Sequence, residues 1–153
     1  MSIAPIVQSV TVAMPPERAF ALFTGSMGRW WQPGKTIGKQ PHVAIVIEPR
    51  AGGRWFEKDA EGNETDWGHV LAWEPPGLVL LAWQLNASFD YDPELVTEVE
   101  ITFTPVGEST RVTLTHRKLE RFGDAADRVA AQLSGGWPTI IQRFADFIEE
   151  QSK

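Results

Sequence analysis

The sequence contains no cysteine among its 153 residues. This absence excludes disulfide bonds, thiolate nucleophiles and cysteine-ligated zinc, and it is compatible with a reducing compartment. A chain of this length buries roughly 70% of its unfolded surface on folding and needs no covalent cross-link. We therefore expect one domain over residues 1–153, located in the cytoplasm.

Long apolar runs and basic clusters are also lacking. No run approaches the ~20 apolar residues of a membrane span, and residues 1–5 lack the features of a secretory signal. The 14 basic and 20 acidic residues give a net charge of −6, and the basic ones are scattered instead of forming the stripe that nucleic acid favours. The sequence thus predicts neither a membrane span nor a nucleic-acid partner.

Recognisable catalytic and metal-binding motifs are absent. The three histidines, His42, His69 and His116, lie 27 and 47 residues apart on separate predicted elements, and no HExxH pattern occurs. There is no G-x-S-x-G pattern, and Gly52 and Gly53 lack the following helix of a phosphate-binding loop. We therefore predict no metal, no cofactor and no assigned catalytic residue.

Tryptophan is abundant, with seven residues against a single tyrosine. An aromatic side chain of this size can bury ~150–250 Å², and an indole N–H usually needs a partner when it is buried. So many indoles in a short chain indicate either a large core or a cavity with aromatic walls.

Alternating apolar and polar residues predict seven strands. The first strand ends before Pro15 and Pro16, which open the first of two short helices, and the second helix carries Trp30 and Trp31. Six strands follow in meander order, so an antiparallel sheet is expected. The predicted strands cover residues 3–13, 43–47, 54–58, 65–73, 78–85, 96–104 and 110–116.

The C-terminal region is predicted to be helical in two parts. Residues 124–133 form a short helix, which Ser134, Gly135 and Gly136 interrupt. From Trp137 onward, apolar residues recur at spacings of three and four, which predicts an amphipathic helix of about four turns. This helix is the only predicted element long enough to cover the apolar face of the sheet.

Short motifs punctuate these elements in a particular order. They are PPERAF at 15–20, WW at 30–31, EPRAGGRW at 48–55, WGHVL at 67–71, EPP at 74–76, LAW at 81–83, FTP at 103–105, TRV at 110–112 and GW at 136–137. In this order and spacing the chain resembles the START-like (SRPBCC) superfamily. Within it, the chain is most similar to the family named for the activator of the heat-shock protein 90 ATPase, and the likeness covers roughly the whole chain.

The resemblance implies an α+β fold of the helix-grip (START-like) type. In that fold a bent seven-stranded antiparallel sheet wraps around a long C-terminal helix, and two short helices follow strand 1. Such folds usually hold a cavity for apolar or amphipathic small molecules between sheet and helix. Relatives include binders, transfer domains, cyclases and hydrolases, so the resemblance implies a site and no particular reaction.

The candidate site residues are those that such a cavity would place in its wall. His69 shares strand parity with Trp67, so we expect an inward imidazole that acts as a ligand hydrogen bonder, a general base or simply a core histidine. His116 is expected to order the approach to the last helix, and His42 to be an exposed loop residue. The predicted ligand-binding set is Trp31, Trp55, Trp67, His69, Trp83, Phe89 and Trp137.

Three functions are consistent with these residues. The leading prediction is the binding of a small hydrophobic or amphipathic ligand, with Arg54 or Gln84 as a candidate polar contact. The second is a cavity enzyme of the cyclase or hydrolase type with His69 as the base. The third is an interaction module, either a homodimer or a chaperone-associated domain. The first two share one cavity, whereas the third would use the exposed sheet edge or the aromatic end.

Overall fold

The computed structural model describes residues 3–151, in which a curled seven-stranded antiparallel sheet packs against a long C-terminal helix. The sheet order is β1-β7-β6-β5-β4-β3-β2, so consecutive strands are neighbours except for β1, which pairs with β7. The predicted helix-grip fold is confirmed. The strands are β1 (Ile6–Val12), β2 (His42–Ile47), β3 (Arg54–Asp59), β4 (Glu64–Glu74), β5 (Leu78–Trp83), β6 (Thr97–Val106) and β7 (Ser109–Arg117).

Within residues 3–151, three α-helices and one 3-10 helix complete the fold. They are α1 (Pro16–Gly25), α2 (Met27–Trp30), the 3-10 helix (Leu119–Ala125) and α3 (Ala126–Gln151). The proline at the start of α1 has no N–H to leave unsatisfied in the first turn. Within the part of the chain that is described, no helix has both the length and the apolarity to cross a bilayer.

Apolar residues alternate regularly along β6 and β7, and their side chains form one side of the core. Val99, Ile101 and Phe103 are buried, and Leu114 and Val112 stand opposite the last two in the register. On the end of the sheet near α1, Phe20 and Phe23 meet the Phe103 ring at centroid distances of 5.1 and 5.7 Å. These edge contacts fix α1 against the sheet.

The final helix runs without a break for 26 residues, so the predicted interruption at 134–136 is wrong. The two glycines each cost up to about 1 kcal/mol relative to alanine, and Pro138 removes one helical hydrogen bond. The apolar face nevertheless continues through this segment, because Leu133, Trp137 and Ile140 are all buried. Tertiary packing of that face outweighs the local propensity.

The prediction of an exposed loop position for His42 is also wrong. His42 begins β2 and is half-buried. Its Nε2 lies 2.9 Å from the carbonyl oxygen of Gly28, to which it donates. The imidazole therefore ties β2 to α2.

Candidate functional site

A cavity of about 420 Å³ opens between the curled sheet and α3, a size typical of small-molecule sites. Its walls come from β4, β5, α3 and the segment after α2, of which residues 32–37 are called the lip. The lining consists of Trp31, Gly34, Lys35, Thr36, Ile37, Trp67, Trp83, Leu85, Phe89, Gln132, Leu133, Gly136, Trp137 and Ile140. The structure thus brings together five of the seven predicted residues, namely Trp31, Trp67, Trp83, Phe89 and Trp137.

Four tryptophans form a closed ring of contacts in the cavity wall. The centroid distances are 5.0 Å for Trp31–Trp67, 6.5 Å for Trp67–Trp83, 5.5 Å for Trp83–Trp137 and 5.9 Å for Trp31–Trp137. Tilted and edge-to-face pairs add about 0.5–1.5 kcal/mol each beyond the area they bury. Each indole is therefore held by two others, and the wall is formed before any ligand arrives.

Glu57 joins this aromatic wall to the lip. Its side chain is 2% exposed, and Oε1 accepts hydrogen bonds from Trp67 Nε1–H at 2.8 Å and from the Ile37 amide at 2.7 Å. Trp31 Nε1–H also reaches the lip, donating to the carbonyl oxygen of Lys35 at 2.9 Å. The lip is therefore hydrogen-bonded to the residues that form the wall.

His116 fixes the wall from behind. It is fully buried, and its Nδ1 accepts a hydrogen bond from Trp137 Nε1–H at 3.1 Å. Nε2–H therefore donates to Thr97 Oγ1 at 2.8 Å, and the Thr97 hydroxyl donates to the carbonyl oxygen of Trp83 at 3.1 Å. Burial lowers the pKa of His116 to about 3. His116 thus contacts α3 at Trp137, and its expected role in ordering the approach to that helix stays a prediction.

Trp83 differs from the other three wall tryptophans in the state of its indole N–H. Within residues 3–151 it has no hydrogen-bond partner, and it is not one of the two indole N–H groups that are both fully buried and unpaired. The residue lines the cavity, and its ring contacts those of Trp67 and Trp137. Its N–H is a candidate donor to a ligand.

Trp55 lies behind the wall and does not line the cavity, contrary to the expectation. Its ring packs at 5.3 Å from Trp67 and 5.8 Å from Trp83, and it is 1% exposed. Its indole N–H is buried without a partner among the described residues. The structure therefore gives Trp55 a supporting position.

His69 also stands outside the lining, so the inward position expected for it is wrong. Its Nδ1–H donates to Gln84 Oε1 at 2.6 Å, and the Gln84 amide donates to the carbonyl oxygen of Pro93 at 3.0 Å. The other candidate polar contact, Arg54, is likewise engaged elsewhere, with Asp66 at 2.7 Å. The polar side chains expected beside the wall thus form hydrogen bonds within the sheet and to its loops.

Two irregularities in strand pairing explain the misplaced histidine. The register shifts between Trp55 and Phe56 on β3, and again along β4 after Val70. Trp67 and Val70 are both buried although they are three residues apart, which simple alternation forbids. His69 consequently neighbours buried residues along β4, but its side chain lies on the opposite face of the sheet.

The chemistry of the lining is apolar with few polar groups. Among the described residues, Lys35 is the one ionisable side chain in the lining, and no carboxylate lines it. No cluster of His, Asp and Glu in that part of the chain is suited to a metal ion. The arrangement can enclose a flat apolar molecule and offer it donors, but it presents no carboxylate or imidazole for proton transfer.

Comparisons with known structures agree with this architecture. An anthrahydroquino-γ-pyrone synthase, Txn09, is 35% identical over 95% of this chain and 97% of its own, with a TM-score of 0.66. CalC, a self-sacrificing resistance protein from Micromonospora echinospora, is 31% identical over 97% and 96%, with a TM-score of 0.74. The Aha1 dimer from Colwellia psychrerythraea shares the fold at 17% identity over 96% and 97%, with a TM-score of 0.66.

Sequence comparison identifies the family. No curated protein matches the chain. The family model described as "Activator of Hsp90 ATPase homolog 1-like protein" matches residues 13–149, which is most of the sequence. The matched residues run from the end of β1 to the last turn of α3. The chain therefore belongs to the Activator of Hsp90 ATPase homolog 1-like protein family.

Proposed function

We propose that the protein binds a small, flat, amphipathic aromatic molecule in the cavity between the sheet and α3. The observation that carries the proposal is the set of four tryptophans that contact one another in the wall of an open cavity of about 420 Å³. A preformed site of this kind loses little conformational entropy when a ligand enters.

The rest of the lining supports the same proposal. Leu85, Leu133 and Ile140 add aliphatic surface, which contributes roughly 25 cal/mol for each Å² removed from water. Indole faces favour offset or edge contacts with a second aromatic system. The relative at 35% identity is an anthrahydroquino-γ-pyrone synthase, and a fused aromatic ring system of the kind in that name would fit a site of this shape.

Filling the cavity from α3 tests the proposal directly. Gly136 lines the cavity, and a Cβ placed there meets no atom within 4 Å. The side chain introduced by Gly136→Leu should therefore project into the open volume without displacing neighbouring protein atoms. Gly135→Leu is the matched control, because Gly135 is exposed on the same helix, is equally free of neighbours and does not line the cavity. Both changes should gain up to about 1 kcal/mol of helix stability.

The readout is a titration with the neutral fluorescent probe N-phenyl-1-naphthylamine. Wild type and Gly135→Leu should bind it saturably with equal affinity, and Gly136→Leu should bind at least tenfold more weakly while melting at the same temperature or higher. Equal binding by both variants would mean that the probe sits elsewhere, and no binding by wild type would count against the cavity as an aromatic site.

A cavity enzyme is a second candidate, favoured by the similarity to a synthase. With Lys35 as the ionisable group of the lining, such an enzyme would act chiefly by holding a reactive substrate in one folded conformation. Molecules that bind in the titration should be incubated with catalytic amounts of protein and followed by mass spectrometry. Conversion by Gly135→Leu and not by Gly136→Leu would support this candidate, and recovery of every ligand unchanged would oppose it.

A further inference from the structure

Two groups of the cavity favour a negatively charged ligand, and the other polar side chains of the described lining, Thr36 and Gln132, are uncharged and can both donate and accept. Lys35 carries the one ionisable group in the described lining, and its side chain is exposed at the lip without an ion-pair partner among residues 3–151. Trp83 adds an unpaired N–H in the wall. Both groups only donate hydrogen bonds, and an ammonium also attracts anions.

The backbone of Lys35 is fixed although its ammonium is free. Its carbonyl oxygen accepts from Trp31 Nε1–H at 2.9 Å, and its amide donates to the carbonyl oxygen of Gln32 at 3.1 Å. The Cα is thus held at the entrance, while the four-carbon stem can place the charge over a molecule inside. A fixed donor that lacks a partner in the protein is suited to a partner supplied by the ligand.

Glu57, whose carboxylate is bonded to the lip, forms no ion pair with this lysine. The Glu57 carboxylate stands behind the wall, where it accepts from the Trp67 indole and the Ile37 amide, and it does not line the cavity. The protein as a whole carries a charge of −6, which repels anions at long range. Selection for an anion would therefore depend on the local ammonium.

We infer that the ligand is an aromatic anion, with its ring system between the tryptophans and its anionic oxygen at the Lys35 ammonium. This inference rests on the proposed function and specifies the chemical class of the ligand. A carboxylate, a sulfonate or a phenolate would satisfy it, because each places a negatively charged oxygen on the aromatic body. The pair should weaken as salt is added, since it lies at the surface.

Two probes that differ mainly by one charge separate this inference from the proposed function. 8-Anilinonaphthalene-1-sulfonate is the anion, and N-phenyl-1-naphthylamine is its neutral counterpart. The variants are Lys35→Met, which keeps the length of the side chain and removes its charge, and Lys35→Arg, which restores a charge. Lys39→Met is the matched control, because Lys39 is exposed near the lip and does not line the cavity.

The expected result is a loss in Lys35→Met that affects the anion alone. Its Kd should rise about three- to tenfold for the sulfonate and stay within twofold for the neutral probe, as judged from the strength of exposed charge pairs and charge-assisted hydrogen bonds. Lys35→Arg should recover most of the loss, and Lys39→Met should change neither Kd. In wild type, raising the ionic strength from about 0.02 M to about 0.3 M should weaken only the sulfonate.

The opposing results are equally specific. If Gly136→Leu blocks the neutral probe and Lys35→Met leaves the sulfonate unaffected, the charge inference is overturned and the aromatic site stands. An equal loss of both probes in Lys35→Met would assign the lysine to the shape of the lip, which also overturns the inference. If wild type binds neither probe, the inference and the proposed function are overturned together.

Discussion

Both ring nitrogens of His116 are occupied, one accepting from Trp137 and the other donating to Thr97. A second ring proton, on Nδ1, would remove the acceptor of the indole N–H and place a charge in a fully buried site. The neutral imidazole is therefore a structural part of the wall, and it has no free nitrogen to act on a ligand.

Acid should destabilise the protein through this residue. The unfolded chain protonates His116 below its ordinary pKa of 6.5, whereas the folded protein does so only near pH 3, so the free energy of unfolding falls as the pH drops through that window. The loss from this residue should reach about 2 kcal/mol at pH 5.

Urea unfolding of wild type and His116→Gln at pH 7 and pH 5 measures this effect. Glutamine offers an acceptor and a donor and does not titrate, so the variant should lose about 2 kcal/mol less than wild type between the two pH values, whatever its starting stability. Parallel pH dependence in the two proteins would show that His116 is not the group responsible.

Individual residues of the site were predictable where the resemblance assigns their elements to the cavity wall, but not where strand parity decides which face a side chain takes. Four cavity-wall tryptophans and Phe89 were found from the sequence, although their role in binding stays a prediction. Glu57 was missed, and its signal is an acidic side chain at the same strand parity as Trp55. An acidic residue on a buried face needs hydrogen-bond donors. Here the donors are an indole and a backbone amide from other segments of the chain, and no local sequence pattern predicts them.

Between elements, β4 and β5 leave no room for a side chain at Gly68. Gly68 stands opposite Trp83, and a Cβ at Gly68 would overlap the carbonyl oxygen of Ala82 and lie 2.9 Å from its carbonyl carbon. Both atoms are backbone and belong to the hydrogen-bonded ladder, so relief would require moving the strands apart.

Gly68→Ala should therefore cost about 3 kcal/mol or more, which exceeds the usual effect of a single methyl group. Gly25→Ala is the control, because a Cβ at Gly25 in α1 meets nothing within 4 Å. Thermal unfolding should show a large drop in melting temperature for the first variant and almost none for the second. A Gly68→Ala protein as stable as wild type would require the two strands to adjust at little cost, contrary to their close pairing.

Regular elements were predicted well, and irregular ones were not. The clean alternation of β6 and β7 predicted residues 96–104 and 110–116, close to the observed Thr97–Val106 and Ser109–Arg117. The register shifts on either side of His69 leave no recognisable signal in the amino-acid sequence, because a bulge requires only one extra residue in a strand. The continuity of α3 through its glycines and proline likewise depends on packing against the rest of the molecule.

At the scale of the whole molecule, element order and motif order were sufficient for the fold but not for the state of its cavity. The same tryptophans could have filled the space between sheet and helix, since six of them form one connected set of ring contacts. Three of their N–H groups are instead hydrogen-bonded to Glu57, to His116 and to the lip, which holds Trp67, Trp137 and Trp31 in the cavity wall. That outcome depends on contacts between segments far apart in sequence.

Occupation of the cavity should protect the molecule unevenly against hydrogen exchange. A ligand that touches the lip, β5 and α3 together must leave before the lip can open, so lip amides such as that of Ile37 should gain the most protection. Amides in β1 and β7 should gain no more than the global stabilisation, about 2.7 kcal/mol at a ligand concentration of 100 times Kd. Exchange of wild type and Gly136→Leu, each with and without N-phenyl-1-naphthylamine, can be followed by mass spectrometry. Uniform protection in wild type, or the same protection in Gly136→Leu, would place the ligand outside this cavity.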